Sequence, residues 1–243
     1  FTDTEHAKLG IGSFLPFTDT VITPKTFQRN LGHNHIKFDG YMEDTYLHPK
    51  YFKPNKNILK KLNLGSQEKY VVLRLVSWDA SHDIGQKGFK IDTLTKLIAE
   101  IKNHARVFIS AENKIPKIFK KYQLSINPTE IHDMLSFAEL FIGEGATMAS
   151  ECAIMGTPSI YINTLSAGTL EDQQQRGTLY IFKSPNGLIE KTKEILTNPK
   201  VKKETKQKSI DLFKNKIDVN NFFYWLISEY PKSINTYKNN SSI

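Results

Sequence analysis

The chain has 243 residues, 39% of them hydrophobic and 24% charged, and carries a formal net charge of +8. That length holds one large domain or two small ones, and that composition buries a core, which excludes a disordered chain. A single cysteine, Cys152, excludes a disulfide framework and a cysteine-cluster metal site, and no apolar run approaches the roughly 18–20 residues of a membrane-spanning helix.

The opening, Phe1-Thr2-Asp3-Thr4-Glu5-His6, reads like the interior of a domain, so the chain is read as a fragment lacking an N-terminal part. No signal peptide opens it, and the expected location is cytoplasmic. Thr20 to Thr23 is predicted as a strand running into Pro24, which suits the first turn of a short helix reaching Leu31. His35 to Phe38 is a second short strand, closed by the turn dipeptide Asp39-Gly40. Pro49 and Pro54 bracket Tyr51-Phe52, which reads as a connector between domains.

From Lys69 the rhythm changes. Tyr70 to Val76 is an apolar, β-branched run and therefore a buried strand. Phe89, Ile91, Leu94, Leu97, Ile98 and Ile101 fall at helical spacing. Strands are expected at Arg106–Ser110, Leu124–Ile126, Leu140–Ile142, Ser159–Ile162 and Leu179–Phe182, with helices at Ile115–Tyr122, Ile131–Phe137 and Thr147–Met155. This alternation over roughly 120 residues predicts an α/β fold with a parallel sheet and helices on both faces. In such sheets ligands lie beyond the carboxyl ends of the strands, at the switch point.

The last stretch, Asn186 to Tyr230, reads as two or three helices. From Lys183 onward there are 12 Lys, no Arg and 6 Asp or Glu, so most of the net charge lies there. A solvated lysine-rich helical face accounts for this; an anionic surface is the sharper reading. Nucleic acid is set aside, because Lys reads bases poorly beside Arg and no recognition-helix or zinc-finger pattern is present.

The most informative segment is Gly143-Glu144-Gly145-Ala146-Thr147-Met148-Ala149-Ser150-Glu151-Cys152-Ala153-Ile154-Met155-Gly156-Thr157-Pro158. A strand ends, small residues turn the chain, and a helix begins near Ala146. The first amides of that helix point outward unpaired and, with the macrodipole, make an anion site worth roughly 0.3–2 kcal/mol. Thr147 adds a hydroxyl. Glu151 lies one turn further on the same face, badly placed for phosphate and well placed to accept from a ribose diol. Packing at a strand–helix junction is the plainer reading of the small residues, and a solvated helix position that of Glu151. Gly156 and Pro158 end the helix.

This segment resembles the donor-binding segment of GT-B glycosyltransferases and of the non-hydrolysing UDP-N-acetylglucosamine 2-epimerases. It is most similar in form to the peptidoglycan N-acetylglucosaminyltransferase that makes lipid II. In those proteins a Ser-Gly-Ala or Ser-Gly-Gly turn holds the diphosphate and a helix Glu binds the ribose. Gly145 and Ala146 match that turn and Glu151 matches the ribose Glu, while Glu144 departs from the usual Ser. The wider chain, through Asp3-Thr4-Glu5-His6-Ala7, Gly40-Tyr41, Tyr46-Leu47-His48-Pro49, Ser77-Trp78, Ser81-His82-Asp83-Ile84-Gly85 and the helix ending at Pro158, is identified as a member of the domain-of-unknown-function family 354. Members of that family extend further at the N-terminus.

The resemblance implies a GT-B-like fold with a Rossmann-like nucleotide-sugar domain at 57–217. Residues 1–56 are then the remnant of a second Rossmann-like, acceptor-side domain with its linker, and 218–243 a helix returning to it, followed by a tail. It implies a UDP-sugar-dependent glycosyltransferase in cell-surface polysaccharide or glycoconjugate synthesis. A UDP-sugar 2-epimerase and a non-catalytic sugar-nucleotide-binding protein are the alternatives. UDP-sugar is substrate and no cofactor is expected. A lipid-linked or polysaccharide acceptor is the partner, reached through peripheral contact of the basic C-terminal helices with the inner membrane face.

The same resemblance directs attention to other positions. Arg74, Ser77, Ser81 and His82 occupy the first strand and loop of the donor domain, where relatives place basic and hydroxyl groups against the diphosphate; an ordinary polar loop is the alternative. Arg74 in an apolar strand requires a carboxylate partner or a phosphate. Ile131 is the apolar cover for the base, and His132 reads equally as a surface histidine. Glu171 to Gln175 loosely match a Gln pair near the donor sugar; a polar helix face explains them as well. Asp3, Glu5 and His6 are the candidate catalytic groups of the cleft, with structural ion pairing as the alternative. Asp3-x-Glu5 also invites a metal reading, which the rest of the chain argues against, so no metal site is expected. Asp218 is a good N-cap for an aromatic-rich closing helix.

Overall fold

In the computed structural model, which describes residues 1–65, 67–76, 89–214 and 216–239, the apolar runs of the sequence become the strands of two parallel sheets. The opening part supplies α1 (Lys8–Phe14), β1 (Val21–Pro24), β2 (His35–Phe38), α2 (Asp44–Leu47) and α3 (Asn57–Lys61). The alternating part runs β3 (Tyr70–Leu75), α4 (Ile91–Lys102), β4 (Arg106–Ala111), α5 (Ile131–Phe137), β5 (Leu140–Gly143), α6 (Ala146–Met155), β6 (Ser159–Ile162), α7 (Gly168–Gln175) and β7 (Leu179–Phe182). The helices α8 (Leu188–Thr197), α9 (Lys200–Lys214), α10 (Val219–Ser228) and α11 (Lys232–Asn239) complete it.

The larger sheet has the order β4-β3-β5-β6-β7, all parallel. The strand expected at Leu124–Ile126 is reduced to one parallel bridge, Ile109 to Gln123, with the Leu124 amide donating to the Ile109 carbonyl at 2.8 Å. With that edge included, the order is that of a doubly wound nucleotide-binding sheet, and its switch point lies between β3 and β5.

Both faces are covered, as an all-parallel sheet requires. Val71, Leu73, Ile109, Leu140, Ile142 and Ile160 face one core with α4 and α8. Tyr70, Val72, Phe108, Phe141 and Tyr161 face the other with α5 and α6. The alternation along each strand follows the two-residue period of the pleat. Helix α6 is buried all round from Ala149 to Met155, which is why its sequence is small and apolar rather than amphipathic. Gly156 ends it with φ +78°, its amide and that of Thr157 folding back onto the carbonyls of Ala153 and Cys152.

The small sheet pairs β1 with β2, Val21 opposite His35. Ile22, Ile36 and Phe38 pack against Val219, Phe222 and Leu226 of α10 and Ile234 of α11. Asp218 caps α10 through the Asn221 amide and also receives Lys50 and Tyr51. The C-terminal helices thus rest on the N-terminal sheet.

Two local expectations fail. No helix follows Pro24: it is the last residue of β1, and the Phe27 amide turns back onto its carbonyl at 3.0 Å. Helix is excluded there because the segment's backbone is engaged elsewhere. The Gln28 amide donates to Glu5, and the Thr26 carbonyl abuts Gly168 so closely that a Cβ would stand 1.7 Å from it. Conversely, α1 forms where no helix was expected.

Part of the basic C-terminal excess is internal. Lys202, Lys206 and Lys208 on α9 donate to the carbonyls of Phe137, Met155 and Gly177, at or near the ends of α5, α6 and α7, and Lys216 pairs with Asp39. Among the described residues no helix is long and apolar enough to cross a membrane.

Candidate functional site

A cleft of about 410 Å³ opens at the switch point. Val76 and Glu144 to Thr147 form its floor, following the carboxyl ends of β3 and β5. Asp3 to His6 and Glu43 wall one side, and the loop between β6 and α7 walls another. Gly145 is the N-cap of α6, and among the described residues no side chain caps that end, so the first turn of the helix faces the cleft. A Cβ on Gly145 would lie 3.2 Å from Val76. Ala146 and Thr147 line the same floor.

Glu144, the departure from the usual Ser, is buried. Its carboxylate accepts from the amides of Val76 at 3.2 Å and Phe89 at 2.5 Å. It therefore joins the two described ends of the chain on either side of 77–88. Burial pushes its carboxyl up to about 7, against those two hydrogen bonds. Ser77, Ser81 and His82 lie outside the described residues.

The proposed catalytic groups come to the cleft but are differently occupied. Glu5 accepts from the amides of Gln28 at 2.9 Å and Gly168 at 3.3 Å; it caps the start of α7 from another part of the chain. His6 contacts the Ser166 carbonyl through Nε2. Asp3 is exposed and accepts from its neighbour Thr4 at 3.2 Å. Arg74 has a carboxylate partner, donating to Glu112 at 2.7 Å and to Ser110 at 2.8 Å.

Glu151 lies one turn beyond Thr147 and is 7% exposed. Tyr46 donates its hydroxyl at 2.8 Å and His132 its Nε2 at 3.0 Å, both to Oε1. The Tyr46 and His132 rings lie 5.6 Å apart and Phe52 meets His132 edge-on. His132 is thus a partner of Glu151. Ile131, at the start of α5, is half-buried against the main core. Glu151 and Ile131 fall outside the residues lining the cleft; Glu151 forms a cluster with Tyr46 and His132 instead.

Sequence reasoning missed Glu43, Ser150 and Gln173 as a unit. Glu43 is 7% exposed and lines the cleft. Ser150, on the same cleft wall, accepts from Gln173 Nε2 at 2.8 Å through its hydroxyl. Burial pushes the Glu43 carboxyl up to about 7, aided by Asp3 and Asp44. The polar stretch at 171–175 held a trace of this: Gln173 is fully buried, whereas Gln174 closes onto the Ile181 amide and Asp172 pairs with Arg176. Cys152 is buried in the core and burial pushes its thiol up. Among the described residues no group of three or more His, Cys, Asp and Glu is placed to hold a metal ion.

Comparison with known proteins bears on the fold. The wall teichoic acid polymerase TagF, in a variant form, superposes with a TM-score of 0.51 at 16% identity, over 94% of this chain and 62% of that one. A Listeria monocytogenes protein assigned as a UDP-N-acetylglucosamine 2-epimerase superposes with a TM-score of 0.57 at 12% identity, over 87% and 59%. The fold is GT-B-like α/β. The uncharacterized protein MJ0665 of Methanocaldococcus jannaschii is 30% identical over 169 residues, 65% of this chain and 49% of the relative. The chain spans about half the length of that relative. Residues 1–218 match the family described as "Protein of unknown function (DUF354)", and the chain belongs to that family.

Proposed function

We propose that the chain binds a nucleotide sugar, with UDP as the nucleotide, and serves as the donor-side half of a sugar-nucleotide-dependent glycosyltransferase. The observation that carries this reading is the coincidence of the cleft, the sheet's switch point and the uncapped start of α6. The diphosphate lies at Gly145, Ala146 and Thr147, where helix amides supply donors without charged side chains. The ribose lies toward Glu151, whose Oε1 is held by Tyr46 and His132, leaving Oε2 for a diol. The base lies toward Ile131. Transfer takes place over Asp3, Glu5 and His6, with a lipid-linked or polysaccharide acceptor at the inner membrane face. The epimerase likeness supports a second reading, in which the same donor site isomerises the sugar.

The test is ligand-observed NMR of UDP, with ADP and GDP beside it, on this chain and on Glu151→Ala. Saturation transfer to UDP that is lost in the variant is expected. Glu151 making two charged hydrogen bonds to the ribose predicts a loss of about 2–4 kcal/mol, or tens to several hundred-fold in affinity. A folded sample that transfers to no nucleotide overturns the reading. With UDP-N-acetylglucosamine, a new glycosidic bond supports transfer and an isomerised sugar nucleotide supports epimerisation.

A further inference from the structure

The cleft is lined by acids. Asp3, Glu5, Glu43, Glu112 and Glu144 border it, and His6 is the basic group among its described lining residues. For a site read as taking a diphosphate, this is the wrong sign of charge. Glu112 is matched by Arg74, Glu144 by the Val76 and Phe89 amides, and Glu5 by the Gln28 and Gly168 amides. Glu43 is held differently: it is 7% exposed and lines the cleft, and among the described residues no ion pair matches it.

The surroundings of Glu43 favour its neutral form. Asp3 approaches from the opening segment, Asp44 follows on α2, and the Tyr46 hydroxyl is near enough to feel the Glu43 charge. Glu144, Glu112, Glu5 and His6 line the rest of the cavity. The Glu43 amide and the Ser150 hydroxyl pull the other way, and burial outweighs them. An ionised carboxylate only accepts hydrogen bonds, and beside a diphosphate it repels; a protonated carboxyl donates one.

Resting on the nucleotide-sugar reading, we propose that Glu43 is a ligand-binding residue that works as a neutral carboxylic acid, donating a hydrogen bond to an anionic or hydroxyl oxygen of the bound nucleotide sugar. Binding then takes up a proton wherever Glu43 is ionised in the free protein, because the incoming negative charge raises its proton affinity. Burial already holds that carboxyl up at about 7.

The experiment is isothermal titration calorimetry of the chain with UDP-N-acetylglucosamine in EDTA, from about pH 6 to about pH 8.5, in buffers of different ionisation heat. The diphosphate diester of this probe does not titrate over that range. Affinity is expected to fall by up to about tenfold per pH unit above about 7.5, with a buffer-dependent heat that reports proton uptake. Glu43→Gln keeps a donor and carries no charge, so it is expected to bind with less pH and buffer dependence than the parent chain, only that of Glu144 remaining, and at the alkaline end at least as tightly as the parent chain. Glu43→Ala is expected to bind weakly throughout. Parent-chain binding that is independent of pH and buffer overturns the proposal and leaves the site reading standing. So does binding that requires added Mg²⁺ and takes up no proton, or a folded Glu43→Gln chain that has lost binding throughout. If Glu43→Gln does not fold, the buffer series on Glu144→Gln decides: proton uptake that persists there supports the proposal, and its loss overturns it. Absence of binding at every pH overturns both this proposal and the reading on which it rests.

Discussion

Three buried carboxyls set the electrostatics of the molecule at the scale of single residues. Glu43 and Glu144 are pushed up to about 7 and Asp44 to about 6, in each case chiefly by burial. A carboxyl whose folded value lies above its unfolded one holds more protons in the native state, so stability falls as pH rises between the two values. Asp218, drawn down to about 2 by Lys50, Tyr51 and the Asn221 amide against its partial burial, has the opposite sign and costs stability only when pH falls below about 4. Asp39 and Asp172 are lowered too, and His35, held down by burial and by Lys37, opposes the three acids below about pH 6.5. Urea unfolding should therefore show lower stability at about pH 7.5 than at about pH 5. Asp44 is 1% exposed, its Oδ2 takes the Tyr41 amide, and its Oδ1 has no hydrogen-bond partner among the described residues. Asp44→Asn should remove about 1–1.5 kcal/mol of that fall. An unchanged slope in the variant would contradict the assignment.

At the scale of elements, α9 works as a clamp on the carboxyl ends of other helices. Its Lys202 and Lys206, four residues apart and so on one face, reach Phe137 at the end of α5 and Met155 at the end of α6. Each supplies a positive charge where the helix dipole is negative. Lys206 is exposed as a residue, yet burial lowers its ammonium from the ordinary value. Lys206→Ala should cost about 1–2 kcal/mol in urea unfolding. Exchanging exposed Lys203 on the same helix should cost under about 0.5 kcal/mol. Equal effects at the two positions would show that the cap contributes nothing.

At the scale of the whole molecule, the two sheets meet along α7. Glu5 reaches its first amide, Thr26 bonds Thr169 at 3.1 Å, Gln28 bonds Glu171 at 2.5 Å, and Tyr41 bonds Asp172. Gly168 is the closest approach. An added Cβ would meet the Thr26 carbonyl oxygen at 1.7 Å, its carbon at 2.7 Å and Glu5 Oε1 at 3.0 Å. Neither backbone can yield locally, so Gly168→Ala should separate the N-terminal segment from α7. The expected result is faster amide hydrogen exchange at Gln28 and Gly168, with the amides of β3 and β5 still protected. Exchange unchanged at both positions would show that the contact is not this tight. Because Asp3 to His6 wall the cleft, the same substitution should also weaken nucleotide binding.

The sequence by itself determined the parallel sheet and the start of the central helix. Ser159–Ile162 and Leu179–Phe182 are strands over the residues the apolar runs mark, and α6 opens at the turn of small residues and closes at Gly156. These features are short-range: periodicity, a cap and a glycine act within a few residues of chain. The helix expected after Pro24 failed because its backbone groups serve Glu5 and sit against α7, both distant in sequence. Only the tertiary structure decided which ionisable groups are spent and which face the cleft. Glu5 turned out to cap a helix more than 160 residues away, Arg74 to pair with Glu112, and Glu151 to lie under Tyr46 and His132. Glu43, which no local pattern marks, lines the cleft as a buried carboxyl. A charged side chain takes its state from whatever the fold brings within a few ångströms of it, and that proximity is not written into any local stretch of sequence.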